Sequence, residues 1–400
     1  MLRDKAVLAA SAVLVTTAGL GWTSPASATT TLHVSPGQSI QAAIDAAQNG
    51  DTVLVAPGWY SERIDFKGKN ITVQGTPNAT VLDGQSQGPV VTFSPGSTRS
   101  AVLRGFRIQD GDGFSFDGGG ISISRSSPKI LDNDIRQNRS GSGAISSSGS
   151  SPAIIGNVIQ HNSMEGSGSP GALYMAGHST SVHPDISGNV FLANDGDNAA
   201  WINAAGEVHL TRNQFVSNSG SGAALAIVNG STVLAKSNLF ADNLGQVAIS
   251  VIVPSGTTPS RLVNNTIRSE SVGIDISAAT NGMKITNNVI DAQGAAIRCT
   301  IDTDTNVPSV DHDDLYSRNG TPTAGCSPLT LRTSGRNLFV DPMWLPSGTL
   351  RASNTALLDA GRNSALTVSD TADVFGNPRI VDGNGDGIAV VDMGAVEGLR

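Results

Sequence analysis

The chain has 400 residues and a formal net charge of −8, with 46 glycines but only 14% charged and 4% aromatic residues. An acidic balance without clustered Lys or Arg argues against nucleic acid as a partner, because that binding rests on phosphate neutralisation. Low charge together with many Val and Ile residues argues against disorder and for a packed all-β protein with many tight turns.

Read from its start, the chain opens with Arg3 and Lys5, an apolar run from Ala6 to Trp22, and Pro25-Ala26-Ser27-Ala28. This is the layout of a secretory signal peptide over residues 1–28, so a secreted, extracellular mature protein is expected to begin at Thr29. The apolar run is broken by Thr16, Thr17 and Gly19, which leaves it short of the roughly 20 residues that a membrane span needs. No later stretch is apolar enough for a transmembrane segment. After the leader, Ile40, Ala43, Ile44 and Ala47 fall on one face of a short helix that Gly50 is expected to stop. TVLVAPGWYSERIDF then reads as strand, turn and strand.

A repeat dominates the middle of the chain. Asn133, Asn157, Asn189, Asn213, Asn238, Asn265 and Asn288 each stand two residues before Ile, Phe or Val, and Gly105 is aligned with them one unit earlier. Asp110, Asn138, Asn162, Asn194, Asn218, Asn243, Glu270 and Gln293 form a second polar column five residues further on. Between markers lie short apolar strands that alternate with period two, such as GGGISI from Gly118 and GAALAIV from Gly222. One such unit cannot bury its own apolar face, but stacked units at the ~4.8 Å strand spacing form a continuous core. The Asn columns are expected to take left-handed turn geometry and to bond the coils above and below. The fold class is therefore all-β, a parallel β-helix over residues 29–345 with an N-terminal capping helix, followed by an irregular C-terminal capping region over 346–400. A monomer is expected.

Period two also assigns directions. If Ile121, Ile145, Leu173, Leu225, Ile249, Ile274 and Ile297 face inward, then Ser122, Ser146, Tyr174, Ala226, Ser250, Asp275 and Arg298 face outward in one column. Trp201 joins that column if Ile202 is in the core. Tyr174 and Trp201 would then stand on adjacent coils as a surface for sugar rings, with Arg298 further along as a substrate-binding residue. Titratable groups cluster in the flanking loops: Asp110, Asp112 and Asp117, then Glu165, Asp195 and Asp197, with His178, His183 and Asp185 in the longest unit. Asp117, His178, His183, Asp195 and Asp197 are the candidate catalytic groups. Opposed carboxylates could hydrolyse a glycosidic bond, and a His or Arg could instead remove the proton alpha to a uronate carboxylate.

Towards the end, Cys299 and Cys326 lie about one coil apart, as a disulfide or as two free thiols. VDHDDLY supplies Asp311, His312, Asp313 and Asp314 as a possible metal cluster. DGNGDG places Asp382, Asn384 and Asp386 at the first, third and fifth positions of a Ca²⁺ loop. The twelfth position is Met393, with Asp392 one residue early, so a full EF-hand is excluded, which leaves a looser structural Ca²⁺ turn or a plain Gly-Asn-Asp turn.

Two stretches carry a resemblance. The run IQAAIDAAQNGDTVLVAPGWYSERIDFKGKNITVQG resembles the N-terminal capping segment of the pectin-lyase-like right-handed parallel β-helix superfamily. NLFVDP from Asn337, LLDAGR from Leu357 and DVFGNPRIVDGNGDGIAVVDMGAVE from Asp373 are similar to the end of bacterial choice-of-anchor Q proteins. The first resemblance implies a right-handed coil and a polysaccharide partner, as a lyase or a glycoside hydrolase. The N-T-D, G-D-D and G-H-G blocks of polygalacturonases and the W-x-D-H block of pectate lyases are absent, so no catalytic residue carries over. A non-catalytic carbohydrate-binding or cell-surface solenoid is the alternative.

Overall fold

A computed structural model describes residues 28–113, 117–166, 168–177, 183–203, 206–229, 231–245, 247–252, 259–277, 282–300, 308–326, 332–333, 335–345 and 353–398. The chain winds as a right-handed parallel β-solenoid. Its wall consists of three long sheets, sheet 1 with 13 strands and sheets 2 and 3 with 11 each. Neighbouring strands in a sheet come from successive coils and run parallel, as in Gln214–Val216 against Leu239–Asn243. The inward residues expected from period two, from Ile121 to Ile297, are all fully buried, and Ile202 with them. Phe191, Phe215 and Phe240 stack inside sheet 2 with ring centroids 4.5 and 4.8 Å apart, close to the spacing of the coils themselves.

The Asn columns are hydrogen-bonded ladders. Asn213 donates both its backbone N–H and its side-chain amide to Oδ1 of Asn238, at 2.9 and 3.0 Å. The same amide also donates to the carbonyl of Ile186 one coil back, at 2.8 Å. Each Asn thus ties three coils and satisfies turn groups that the sheets leave unpaired. The left-handed residue is not the Asn but the one before it: Asp132, Arg212, Ser237, Asn264 and Asn287 have φ between 53° and 61°. Two column ends need correction by one residue. Phe106, not Gly105, holds the ladder position and donates its N–H to Asn133, and Gly111, not Asp110, does so to Asn138. Downstream of Asn243 the second ladder passes to Ser269 and Ala292, so Glu270 and Gln293 stand outside it. The first ladder continues beyond Asn288 through Asp313 to Asn337. VDHDDLY is therefore a regular coil, with Asp313 locked into the ladder and Asp314 in the next strand, and not a metal loop.

The short helix α1 (Ile40–Ala46) forms where expected, with Ser39 as its N-cap and Ile40 and Ile44 buried. It ends at Ala46, before Gly50. Lys69 stops it from the first coil by donating to the carbonyls of Ile44, Asp45 and Ala47, each at 2.8 Å.

The segment 353–398 lies along the outer wall of sheet 2. Val374 and Ala395 pack on Leu239 and Ala241, while Leu357 and Met393 pack on Val289. Asp370 pairs with Lys236 at 2.8 Å, and Arg379, fully buried, pairs with Glu397 at 3.1 Å and reaches Ser237 of the wall. In its described contacts this region covers the side of the coils, where a cap over the end was expected. Cys299 and Cys326 form a disulfide. Among the described residues no helix is long and apolar enough to cross a membrane.

Candidate functional site

Sheet 3 presents the outward column that the alternation implies. Ser146 is in register with Tyr174, Tyr174 with Trp201, and Trp201 with Ala226. The row continues through Ser250 and Asp275 to Arg298. Because the strands are parallel and in register, these side chains repeat at the ~4.8 Å coil spacing along one straight line. Small residues between large ones make that line concave. Ala226 and Ser250 lie low between Trp201 at one end and Asp275 with Arg298 at the other, and the groove encloses about 290 Å³. Asn198 and Ser221 form part of its wall, Val228, Val247 and Ile252 another part.

The charged end is preorganised. Arg298 donates Nε to Oδ1 of Asp275 at 2.8 Å, across one coil step. That hydrogen bond raises the guanidinium pKa further, outweighing partial burial. Asp275 is buried and Arg298 half-exposed, so the carboxylate orients an arginine that still meets solvent. Trp201 is half-buried at the other end, and its Nε1 is covered without a hydrogen-bond partner. Tyr174 stands one coil before Trp201, beyond the groove.

The expected catalytic groups do not converge on this groove. Asp117 is exposed in the turn that enters sheet 3 three strands away from Trp201, where its Oδ1 accepts from Ser122 at 2.9 Å. Asp195 and Asp197 precede the strand Asn198–Asn203. Asp195 accepts from Ser219 at 2.9 Å. Asp197 accepts from Ser221 at 2.7 Å and from the Gly168 N–H. Ser221 lines the groove, so Asp197 stands one hydrogen bond behind its wall. His183 is at the other end of the strands, next to sheet 1, with its ring stacked on His209 at 5.2 Å. Its carbonyl accepts from Arg99 at 2.8 Å. A six-residue strand separates its two flanking loops by about 20 Å, which keeps His183 from meeting Asp195 or Asp197. His178 lies outside the described residues.

The C-terminal loop is closed by its own hydrogen bonds. Asp382 accepts from the N–H groups of Gly385 and Gly387 at 2.6 and 2.9 Å. Asn384 Oδ1 accepts from Asp386 N–H, and Asp386 Oδ1 from Ile388 N–H, both at 2.8 Å. Asp392 is buried next to Gly383 of the loop, but its carboxylate accepts from the amides of Asp359 and Gly398, at 2.7 and 2.5 Å. Among the described residues no group of three or more His, Cys, Asp or Glu could hold a metal ion. Both Asp392 oxygens accept amides from outside the turn, whereas Asp382, Asn384 and Asp386 are held together within it by its own amides.

Sequence reasoning named Ser250, Asp275 and Arg298 as outward but missed the Asp275–Arg298 pair. Their identical offset from Ile274 and Ile297 was the available signal. The family model described as the right-handed β-helix region matches residues 65–240. The protein is a right-handed parallel β-helix. Among solved structures, this β-helix is similar to a mannuronic acid specific polysaccharide family 6 lyase from human gut microbiota. That likeness has 13% identity and a TM-score of 0.36, over 80% of this chain and 88% of the other. It is also similar to a PL6 family polysaccharide lyase from Pseudopedobacter saltans, at 13% identity and a TM-score of 0.32, over 80% of this chain and 96% of that one. No curated protein matches the β-helix sequence.

Proposed function

We propose that this β-helix is an exported protein that binds polysaccharide along sheet 3, with the groove from Trp201 to Arg298 as its site. The observation that carries this reading is the straight, in-register row with an aromatic ring at one end, small residues between, and an oriented arginine at the other. An indole face suits the C–H face of a sugar ring, and the serine, asparagine and arginine around the groove suit its hydroxyl or acidic substituents. A chain of sugars is itself a linear repeat and matches a linear row of contacts better than a small compact ligand does. Recognition is favoured over bond cleavage, because the carboxylates and His183 expected for hydrolysis or β-elimination occupy opposite edges of the sheet.

The test is retention on a panel of immobilised pectic, alginate, glycosaminoglycan and neutral polysaccharides. Reducing ends and unsaturated uronate absorbance are read in the same samples. Retention that falls on Trp201→Ala or Arg298→Gln, without product, is the expected outcome. Product release that survives both substitutions would place the site elsewhere.

A further inference from the structure

Trp59 is the most exposed of the described tryptophans. It lies in the strand Gly58–Tyr60 of sheet 2, in register with Val81, and is 55% exposed. Its backbone is nevertheless rigidly held. Tyr60 beside it is buried and donates its hydroxyl to the Ala56 carbonyl at 2.9 Å. Gly58 is so close to Pro36 that a Cβ there would come within 2.8 Å of the proline ring. A large apolar face on fixed backbone loses little conformational freedom when something lies on it.

The surroundings of that face are polar. A concavity of about 280 Å³ beside Trp59 is lined by Gln38, Ser39, Ser61 and Glu62. The Glu62 carboxylate is fixed by the Ile40 N–H at 2.6 Å and the Ser39 hydroxyl at 2.9 Å. Gln38 spends its carbonyl oxygen on the Ser35 N–H at 2.7 Å. Its amide NH₂ and the Ser61 hydroxyl bond no group among the described residues. An aromatic face is thus ringed by an oriented acceptor and two unused donors.

We infer that this concavity is a second carbohydrate site, one that takes the ring of a neutral pyranose. The C–H face of the sugar lies on the indole, and its hydroxyls donate to Glu62 and accept from Gln38 and Ser61. The fixed carboxylate disfavours a uronate or sulfated ring in the same place. The site is independent of the sheet 3 groove. It lies on a different sheet, five strands from the coil that carries Trp201, which is roughly 24 Å along the axis.

The experiment uses the full exported chain carrying Trp201→Ala, so that the groove contributes nothing. Cellohexaose, mannohexaose and xylohexaose are titrated by calorimetry, with hexagalacturonate as the acidic control. At least one neutral hexasaccharide is expected to bind, and adding Trp59→Ala is expected to weaken it by about tenfold or more. Circular dichroism is expected to stay unchanged, since Trp59 contributes little to the core. Absence of binding by all three neutral sugars overturns the inference, as does binding that persists in the double variant or is stronger for hexagalacturonate. The groove reading is judged separately, by comparing polysaccharide retention of the wild type and the Trp201→Ala single variant.

Discussion

Asn288 donates its backbone N–H and its side-chain amide to one oxygen of Asp313, at 2.6 and 2.7 Å. Every earlier rung of this ladder from Asn133 onward has an asparagine in that place. An aspartate offers the same acceptor, but it brings a charge into a fully buried position. Burial pushes its carboxyl up to about 7, against the hydrogen bonds that favour the charged form.

A carboxyl whose folded pKa lies above its unfolded value favours the folded state only while it can hold its proton. Its contribution is complete below the unfolded pKa and is lost as pH rises through about 7. Wild-type stability to urea is therefore expected to fall between about pH 5 and about pH 8, by on the order of 2–4 kcal/mol from this group. Asp313→Asn should remove that share of the slope and stabilise the protein at the alkaline end. Asp314 and Glu397, also raised to about 7 by burial, keep their own shares. An unchanged slope in the variant would show that Asp313 is not the titrating group.

Removing a rung from the middle of the ladder has a different consequence. Asn213→Ala takes the acceptor from both Asn189 donors and the donor from the Ile186 carbonyl. Two or three buried groups are left unpaired, so a loss of about 3–6 kcal/mol is expected. Gln87→Ala, at an exposed bend where the side chain bonds no described group, is expected to change stability by less than about 0.5 kcal/mol. Comparable losses in the two variants by chemical denaturation would remove the ladder's special weight.

Filling the groove is a stricter test than emptying it. Ala226 is the in-register neighbour of both Trp201 and Ser250, and its side chain points out of the sheet, so Ala226→Phe should leave the core intact. Polysaccharide affinity should fall by about tenfold or more, while the thermal midpoint moves by only a few degrees, of order 1 kcal/mol. Full affinity with a phenylalanine in the floor would mean that the polymer lies elsewhere.

The turn around Asp382 is preset by its own amides, and the Asp392 carboxylate is taken by amides from outside it. Millimolar Ca²⁺ or a chelator is accordingly expected to shift the thermal midpoint by less than about 2 °C, since a ligand stabilises only through affinity for the native state. A rise of many degrees with Ca²⁺ would show that the loop rearranges around the ion.

The solenoid, its coil length, and the inward or outward sense of each strand residue are legible in the sequence. These features repeat, and a period of two admits only two faces for each strand. From Ser122 to Arg298 the outward column was legible for that reason, Trp201 included. Its exact ladder ends were not, because the residues that begin and end a column, such as Phe106 and Ser269, lack the asparagine that marks the rest. Which of those side chains share a groove depends on how the coils stack. Asp275 and Arg298 meet because they occupy the same step of adjacent coils, 23 residues apart in sequence. Conversely, His183 and Asp197 are close in sequence, but they lie on opposite sides of a strand that the solenoid holds straight. The C-terminal segment shows the same limit. Its irregular sequence has no period to read, and its place along sheet 2 follows from partners such as Lys236 and Ser237 that lie more than a hundred residues earlier in the chain.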